Sequence, residues 1–267
     1  MADTLFFAHA NGFPSGSYGK LFRALAPQFE VAHLALHGHD PRFPVTDNWP
    51  HLVQELIHHL QAQPGKVWGV GHSLGGGLHL HAALLRPDLY HGLILLDAPL
   101  LTAWERWLLG WAKRAGWIDR ITPAGRTLGR RERFANLASA RRYFAGKALF
   151  RGFDPDCLEA YLQHGLCEDE HGLRLRFSAA IEISIYRSLP HRIPAPLRRL
   201  QLPVALVRGE ASRVVAAYHG RQVRRLPRGE CYRVPGGHMF PLEQPEHTAA
   251  LITQVLGRWR APANTGG

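Results

Sequence analysis

Apolar and polar positions fall into alternating blocks along the chain. Short apolar runs at residues 5–9, 31–36, 67–70, 93–96, 204–207 and 231–234 read as strands, several without a polar interruption, as expected of strands buried on both faces. Between them, residues 18–28, 49–63, 74–86 and 216–226 carry apolar positions at helical spacing, and residues 247–258 do so after the last run. Strand alternating with helix predicts an α/β fold, a doubly wound, mostly parallel sheet.

The rhythm breaks once. Residues 100–200 contain no clear strand pattern, whereas Leu101, Trp104, Leu108 and Trp111 recur near helical spacing and residues 139–150 and 155–166 also read as helical. This stretch is expected to be a helical insertion, with the sheet resuming at "LPVALVRG". The division expected is a core of residues 1–99 and 201–260, a cap of residues 100–200 and a disordered tail of residues 261–267. No internal repeat is visible.

Composition supports a folded, water-soluble chain. With 267 residues, 46% apolar and 20% charged, it can bury roughly 70–75% of its unfolded surface in one large domain. The segment "MADTLFFA" has no basic leader, and no window reaches the ~18 uninterrupted apolar residues of a membrane span; a cytoplasmic location is expected. Cys157, Cys167 and Cys231 are scattered and odd in number, unlike a zinc site or a disulfide framework, and no metal or other cofactor is implied.

Charge adds one feature. Lys plus Arg outnumber Asp plus Glu by 32 − 21 = 11, and residues 101–200 hold 18 basic and 10 acidic side chains, +8 of that excess. No nucleic-acid motif accompanies the arginines, so a solvated basic surface is expected and nucleic acid is not an expected partner.

Three stretches carry chemistry. In "VWGVGHSLGG", residues 67–76, a strand leads into Gly71-His72-Ser73-Leu74-Gly75, a G-x-S-x-G turn, and then into a helix. Small residues flanking the serine let a tight turn close and lift its hydroxyl to a helix N-terminus, where free N–H groups favour developing negative charge. In "VPGGHMFPLEQPE", residues 234–246, His238 follows the last strand on a glycine-flanked loop, the position from which a base would serve a serine in the chain order Ser…Asp/Glu…His. In "FAHANGFPSGSY", residues 7–18, Asn11-Gly12-Phe13-Pro14 follows the first strand.

With "LHGHD", "LLDAP" and "LVRGE" in the same order, these stretches make the chain resemble the α/β-hydrolase fold superfamily over nearly its whole length. The resemblance implies an eight-stranded, mostly parallel sheet with a helical cap between the sixth and seventh strands. It also implies an oxyanion hole formed by the N–H groups of Leu74 and Phe13, the latter by matching Asn11-Gly12-Phe13-Pro14 to H-G-x-P. His9 and Asn11 are expected to brace that loop, and His72, His37, His39, His58 and His59 to be structural or surface residues.

The third catalytic member is less direct. The commoner family pattern puts an acid after the seventh strand, but "GEASRVV" holds Ser212 and Arg213 there, and a guanidinium has no acceptor for an imidazole N–H. Two carboxylates remain. Asp97, in "LILLDAP", lies after the preceding strand, where haloalkane dehalogenases and related luciferases of this superfamily put the acid. Glu210 follows Gly209 directly. Asp97 is the first choice and Glu210 the alternative.

Serine as nucleophile implies attack on an acyl carbon, so a small-molecule carboxylic ester is the expected substrate. An acyl thioester of the CoA type, or transfer to an acceptor other than water, is the alternative. The stripe Trp104, Leu108 and Trp111 is expected to line an acyl pocket. A catalytically silent binding protein on the same fold is the reading from a different class, carried only by Arg213. Oligomeric state is not legible in the sequence.

Overall fold

The computed structural model describes residues 2–261; of the tail expected to be disordered, all but Ala261 lies outside the described residues. In chain order the strands are β1 (Asp3–Ala8), β2 (Phe29–His33), β3 (Val67–His72), β4 (Tyr90–Leu96), β5 (Arg133–Phe134), β6 (Leu166–Asp169), β7 (Gly172–Leu175), β8 (Val204–Gly209) and β9 (Gly229–Val234). Six of them form one sheet in the order β2-β1-β3-β4-β8-β9, parallel at every pairing.

Side chains alternate between two apolar layers, which is why these strands read as unbroken apolar runs. Leu5, Phe7, Val70, Ile94 and Val207 face one layer, against the helices Gly19–Leu25 and Pro245–Arg260. Phe6, Val67, Leu93, Leu95 and Leu206 face the other, under the helices Pro50–Gln61, Leu74–Leu85 and Ala217–Val223. The order runs outward from β1 to β2 and then returns across β1 to β3. A crevice therefore opens beyond the C-terminal ends of β1 and β3, where open α/β sheets bind ligands.

The count of strands differs from expectation. The sheet has six strands among the described residues rather than eight, so the long insertion follows its fourth strand and precedes its fifth. Residues 97–203 hold six α-helices, Ala103–Arg114 the first and Ala179–Arg187 the last. They also hold a small antiparallel sheet, β5-β7-β6, that the sequence reading missed. Its signal was present: Leu173 and Leu175 alternate with Arg174 and Arg176 just after "CEDEHG", but strands of four residues barely exceed one period of a helix.

Candidate active site

The turn after β3 shows why its glycines are needed. A Cβ on Gly71 would lie 2.3 Å from the carbonyl carbon of Gly75, and one on Gly75 would lie 2.0 Å from the Ala8 carbonyl oxygen. Ser73 sits between them at φ 52°, ψ −110°, a conformation that costs a residue with a side chain on the order of 1–3 kcal/mol. The surroundings enforce it: Ser73 N–H donates to Leu96 O at 2.9 Å and Gly75 N–H to His9 O at 3.1 Å. Ser73 is partly exposed and borders a cavity of about 990 Å³ that His238 also lines.

Asp97 is the other strained residue of the site, at φ 45°, with its main-chain N–H bonded to Val207 O at 2.8 Å. Its carboxylate is fully buried and takes three donors. Oδ2 lies 2.7 Å from His238 Nδ1, Oδ1 accepts Gly209 N–H at 3.0 Å, and the Ser212 hydroxyl donates to Oδ2. A buried carboxylate is stable only when its lone pairs are satisfied, and here a histidine, a hydroxyl and an amide do so. Glu210 is exposed, and the acid that meets His238 is Asp97. No role for Ser212 is legible in the sequence: the loop after β8 supplies its hydroxyl to Asp97.

A second chain of hydrogen bonds ties the three loops together. Ala10 N–H donates to Tyr18 Oη at 3.3 Å, and the Tyr18 hydroxyl donates to His72 Nδ1 at 2.8 Å. His72 Nε2–H then reaches the main-chain oxygen of His238 at 2.9 Å. Burial, reinforced by the charge His238 can carry, holds the His72 imidazole well below its ordinary pKa, so it stays neutral in this tautomer. His9 accepts His37 N–H on Nε2 at 2.8 Å, and its Nδ1 bonds Ala10 O at 2.8 Å; Asn11 Nδ2 donates to Glu182 O at 3.0 Å. Glu243 accepts Gly237 N–H at 2.9 Å, holding the His238 loop from the far side.

The two expected oxyanion donors differ. Leu74 opens its helix, so its N–H lies outside the helical ladder and at the cavity wall. Phe13 also borders the cavity, but its N–H donates to Ala10 O at 3.1 Å in a turn. It can serve a second acceptor only by sharing that hydrogen, as three-centre bonds do.

The stripe expected to line an acyl pocket does not line this cavity. Trp104, Leu108 and Trp111 are 65%, 40% and 42% exposed, and none borders the cavity. The helix Ala103–Arg114 buries Leu109, Gly110 and Ala112 instead, and turns Arg106 to the cavity. The apolar lining comes from elsewhere: Leu100, Tyr143, Phe144, Phe150, Leu189 and Ile193. Four cations join them, Arg106, Arg126, Arg130 and Lys147. The sole carboxylate among the lining residues, Glu182, is ion-paired with Arg130.

Fold and site together define an α/β enzyme scaffold with a serine, a histidine and an aspartate at the C-terminal edge of its sheet. Residues 5–251 match the model of the alpha/beta hydrolase family, and the chain belongs to that family. It is 25% identical over 228 residues to a type I acyl-CoA thioesterase of Penicillium brevicompactum, covering 74% of this chain and 50% of that protein. It is 27% identical over 190 residues to 2-(acetamidomethylene)succinate hydrolase of Mesorhizobium japonicum, covering 70% of this chain and 63% of that protein. The chain thus spans about half to two thirds of the length of these relatives. Among solved structures, an E-2-(acetamidomethylene)succinate hydrolase superimposes with a TM-score of 0.75 at 23% identity, over 96% of this chain and 92% of that one. No helix among the described residues is long and apolar enough to cross a membrane.

Proposed function

We propose that this hydrolase cleaves carboxylic esters through an acyl-enzyme on Ser73, with His238 as general base, Asp97 as its acid and residues 100–200 as a cap over the site. The observation that carries the reading is the 2.7 Å contact between Asp97 Oδ2 and His238 Nδ1, on a histidine that lines the same cavity as Ser73. Asp97 accepts a hydrogen bond from His238 Nδ1–H, which keeps that proton on Nδ1 and leaves the Nε2 lone pair free. Nε2 takes the hydroxyl proton as Ser73 Oγ bonds the acyl carbon, and the carbonyl oxygen gathers negative charge against Leu74 N–H and the shared Phe13 N–H. Collapse breaks the bond to the leaving group, which departs with the proton held by His238. Water, deprotonated by the same nitrogen, then releases the acid and restores the Ser73 hydroxyl.

A specific observation favours thioesters as a second substrate class. The four cations of the cavity face a single, already paired carboxylate, an arrangement suited to an acyl group or carrier with negative charge. The thioesterase named among the relatives agrees with it. The test is a panel of p-nitrophenyl esters of increasing chain length, run beside acyl-CoA of the same acyl groups. The proposal expects turnover with an initial burst of p-nitrophenol, lost in Ser73→Ala; no turnover of either series would overturn it. A kcat/KM advantage for acyl-CoA that shrinks with added salt would select the thioester.

A further inference from the structure

The face of the Ala103–Arg114 helix that misses the cavity is itself unusual. Of the seven tryptophans in the chain, four lie within residues 104–117, and Trp104, Trp107, Trp111 and Trp117 are 65%, 59%, 42% and 47% exposed. They are gathered rather than scattered. Trp104 stacks on Trp107 at 4.8 Å between ring centroids, Trp111 meets Trp117 edge-on at 5.1 Å, and Leu108 and Ile121 are exposed as well. Single exposed apolar side chains need no explanation, but a clustered indole surface marks a binding face.

Charge selects the occupant. Residues 103–131 contain seven cations against two acids, Glu105 and Asp119; of the seven, Arg106, Arg126 and Arg130 border the cavity and Lys113 pairs with Asp47, which leaves Arg114, Arg120 and Arg131 outside it. Both acids are occupied, Glu105 by Thr102 and Tyr218 and Asp119 by Arg187. Arg114, Arg120 and Arg131 are exposed and have no carboxylate partner among the described residues. Arg120 instead lies over the Trp117 ring, 5.8 Å from its centroid. A second copy of the chain would bring the same cations against themselves. Indole rings amid arginines suit the boundary between lipid headgroups and acyl chains, where an amphipathic ring sits and anionic headgroups meet the guanidinium groups.

We propose that this tryptophan face docks the protein on an anionic phospholipid surface. The helix lies flat on the lipid with Trp104, Trp107 and Trp111 inserted and Arg114 and Arg120 at headgroup level, while Arg106 on the same helix still borders the cavity.

The test uses the full chain with vesicles of phosphatidylcholine alone and of phosphatidylcholine mixed with phosphatidylserine. Co-sedimentation with the mixed vesicles is expected, with a blue shift of tryptophan emission, and about tenfold weaker binding to phosphatidylcholine alone. A Trp104→Ser, Trp107→Ser, Trp111→Ser variant is expected to lose the binding while keeping its thermal midpoint and its turnover of a soluble ester. An Arg114→Glu, Arg120→Glu variant, with its aromatic face intact, should lose only the preference for anionic lipid. The proposal is overturned if mixed vesicles fail to bind the protein or bind the serine variant equally well. It is also overturned if the same tryptophans instead drive self-association or oligonucleotide binding.

Discussion

Two helices of twelve residues each border the same cavity, and they differ in almost everything else. Leu74–Leu85, which follows Ser73, buries nine of its residues, from Leu74 and the Gly75-Gly76 pair through Ala83; Ala103–Arg114 buries three, Leu109, Gly110 and Ala112. In the first, surrounding elements fix nearly every position, and a sequence motif therefore carries geometry with it. In the second, the same apolar periodicity has two possible faces, and the larger side chains lie on the one turned outward. Periodicity specifies a stripe; only the neighbours decide where that stripe points.

The contrast can be broken at its strongest point. Gly75→Ala puts a methyl group 2.0 Å from the Ala8 carbonyl and should cost roughly 3 kcal/mol or more, seen as a lowered urea midpoint. A cost near zero would mean that the turn is not closed in this way. Acid provides a second probe of the buried layers. Burial holds the imidazoles of His37 and His79 down to about 3 and that of His81 down to about 4, with His9 and His72 also depressed. The unfolded chain takes up these protons as pH falls below the ordinary value of about 6.5 and the folded chain does not. The stability these groups contribute is therefore complete above pH 6.5 and lost on acidification. Glu55, pushed up to about 7 by burial, acts oppositely: its contribution is full below the ordinary carboxylate value and lost as pH rises through 7. With these five histidines against two carboxyls raised by burial, Glu55 and Glu182, the denaturation midpoint should fall from about pH 6.5 to 4.5; a flat profile would contradict the neutral, buried state of these rings.

Ser212→Ala removes one donor from Asp97 while leaving Gly209 N–H and His238 in place, so kcat should drop about tenfold, near 1.4 kcal/mol. An unchanged kcat would mean that the hydroxyl does nothing for the acid. On the outer helix, Trp111→Ser should change stability by no more than about 0.5 kcal/mol and leave KM for a short soluble ester unaltered. A raised KM would return Trp111 to the acyl site from which its exposure removes it.

What could be read in the sequence follows the same division. The six sheet strands were legible because burial on both faces leaves apolar runs, although β2 lies about two residues earlier than its run suggested. The pairing of Asp97 with His238 was legible from "LILLDAP" at the end of β4 and from the histidine after the last strand. Ser212 was not, because a hydroxyl finds its partner through the approach of the β8 loop to β4, a distance of 115 residues in sequence. Nor was the turn bond of Phe13 N–H, which depends on backbone angles that Asn-Gly-Phe-Pro permits without dictating. The hairpin of β6 and β7 is hidden by its shortness, and the outward direction of the tryptophan stripe is not legible because exposure is set by what packs beside a helix.

Activation of Ser73 through His238 by Asp97, and not by Glu210, sets the rate at which a fluorophosphonate labels the serine covalently. Labelling at Ser73 is predicted at neutral pH, slowed by on the order of 10³–10⁴-fold in Asp97→Asn and unchanged in Glu210→Gln. Labelling of Asp97→Asn at the rate of the unaltered protein, or no labelling of Ser73 at all, would rule out Asp97 as the acid or Ser73 as the nucleophile.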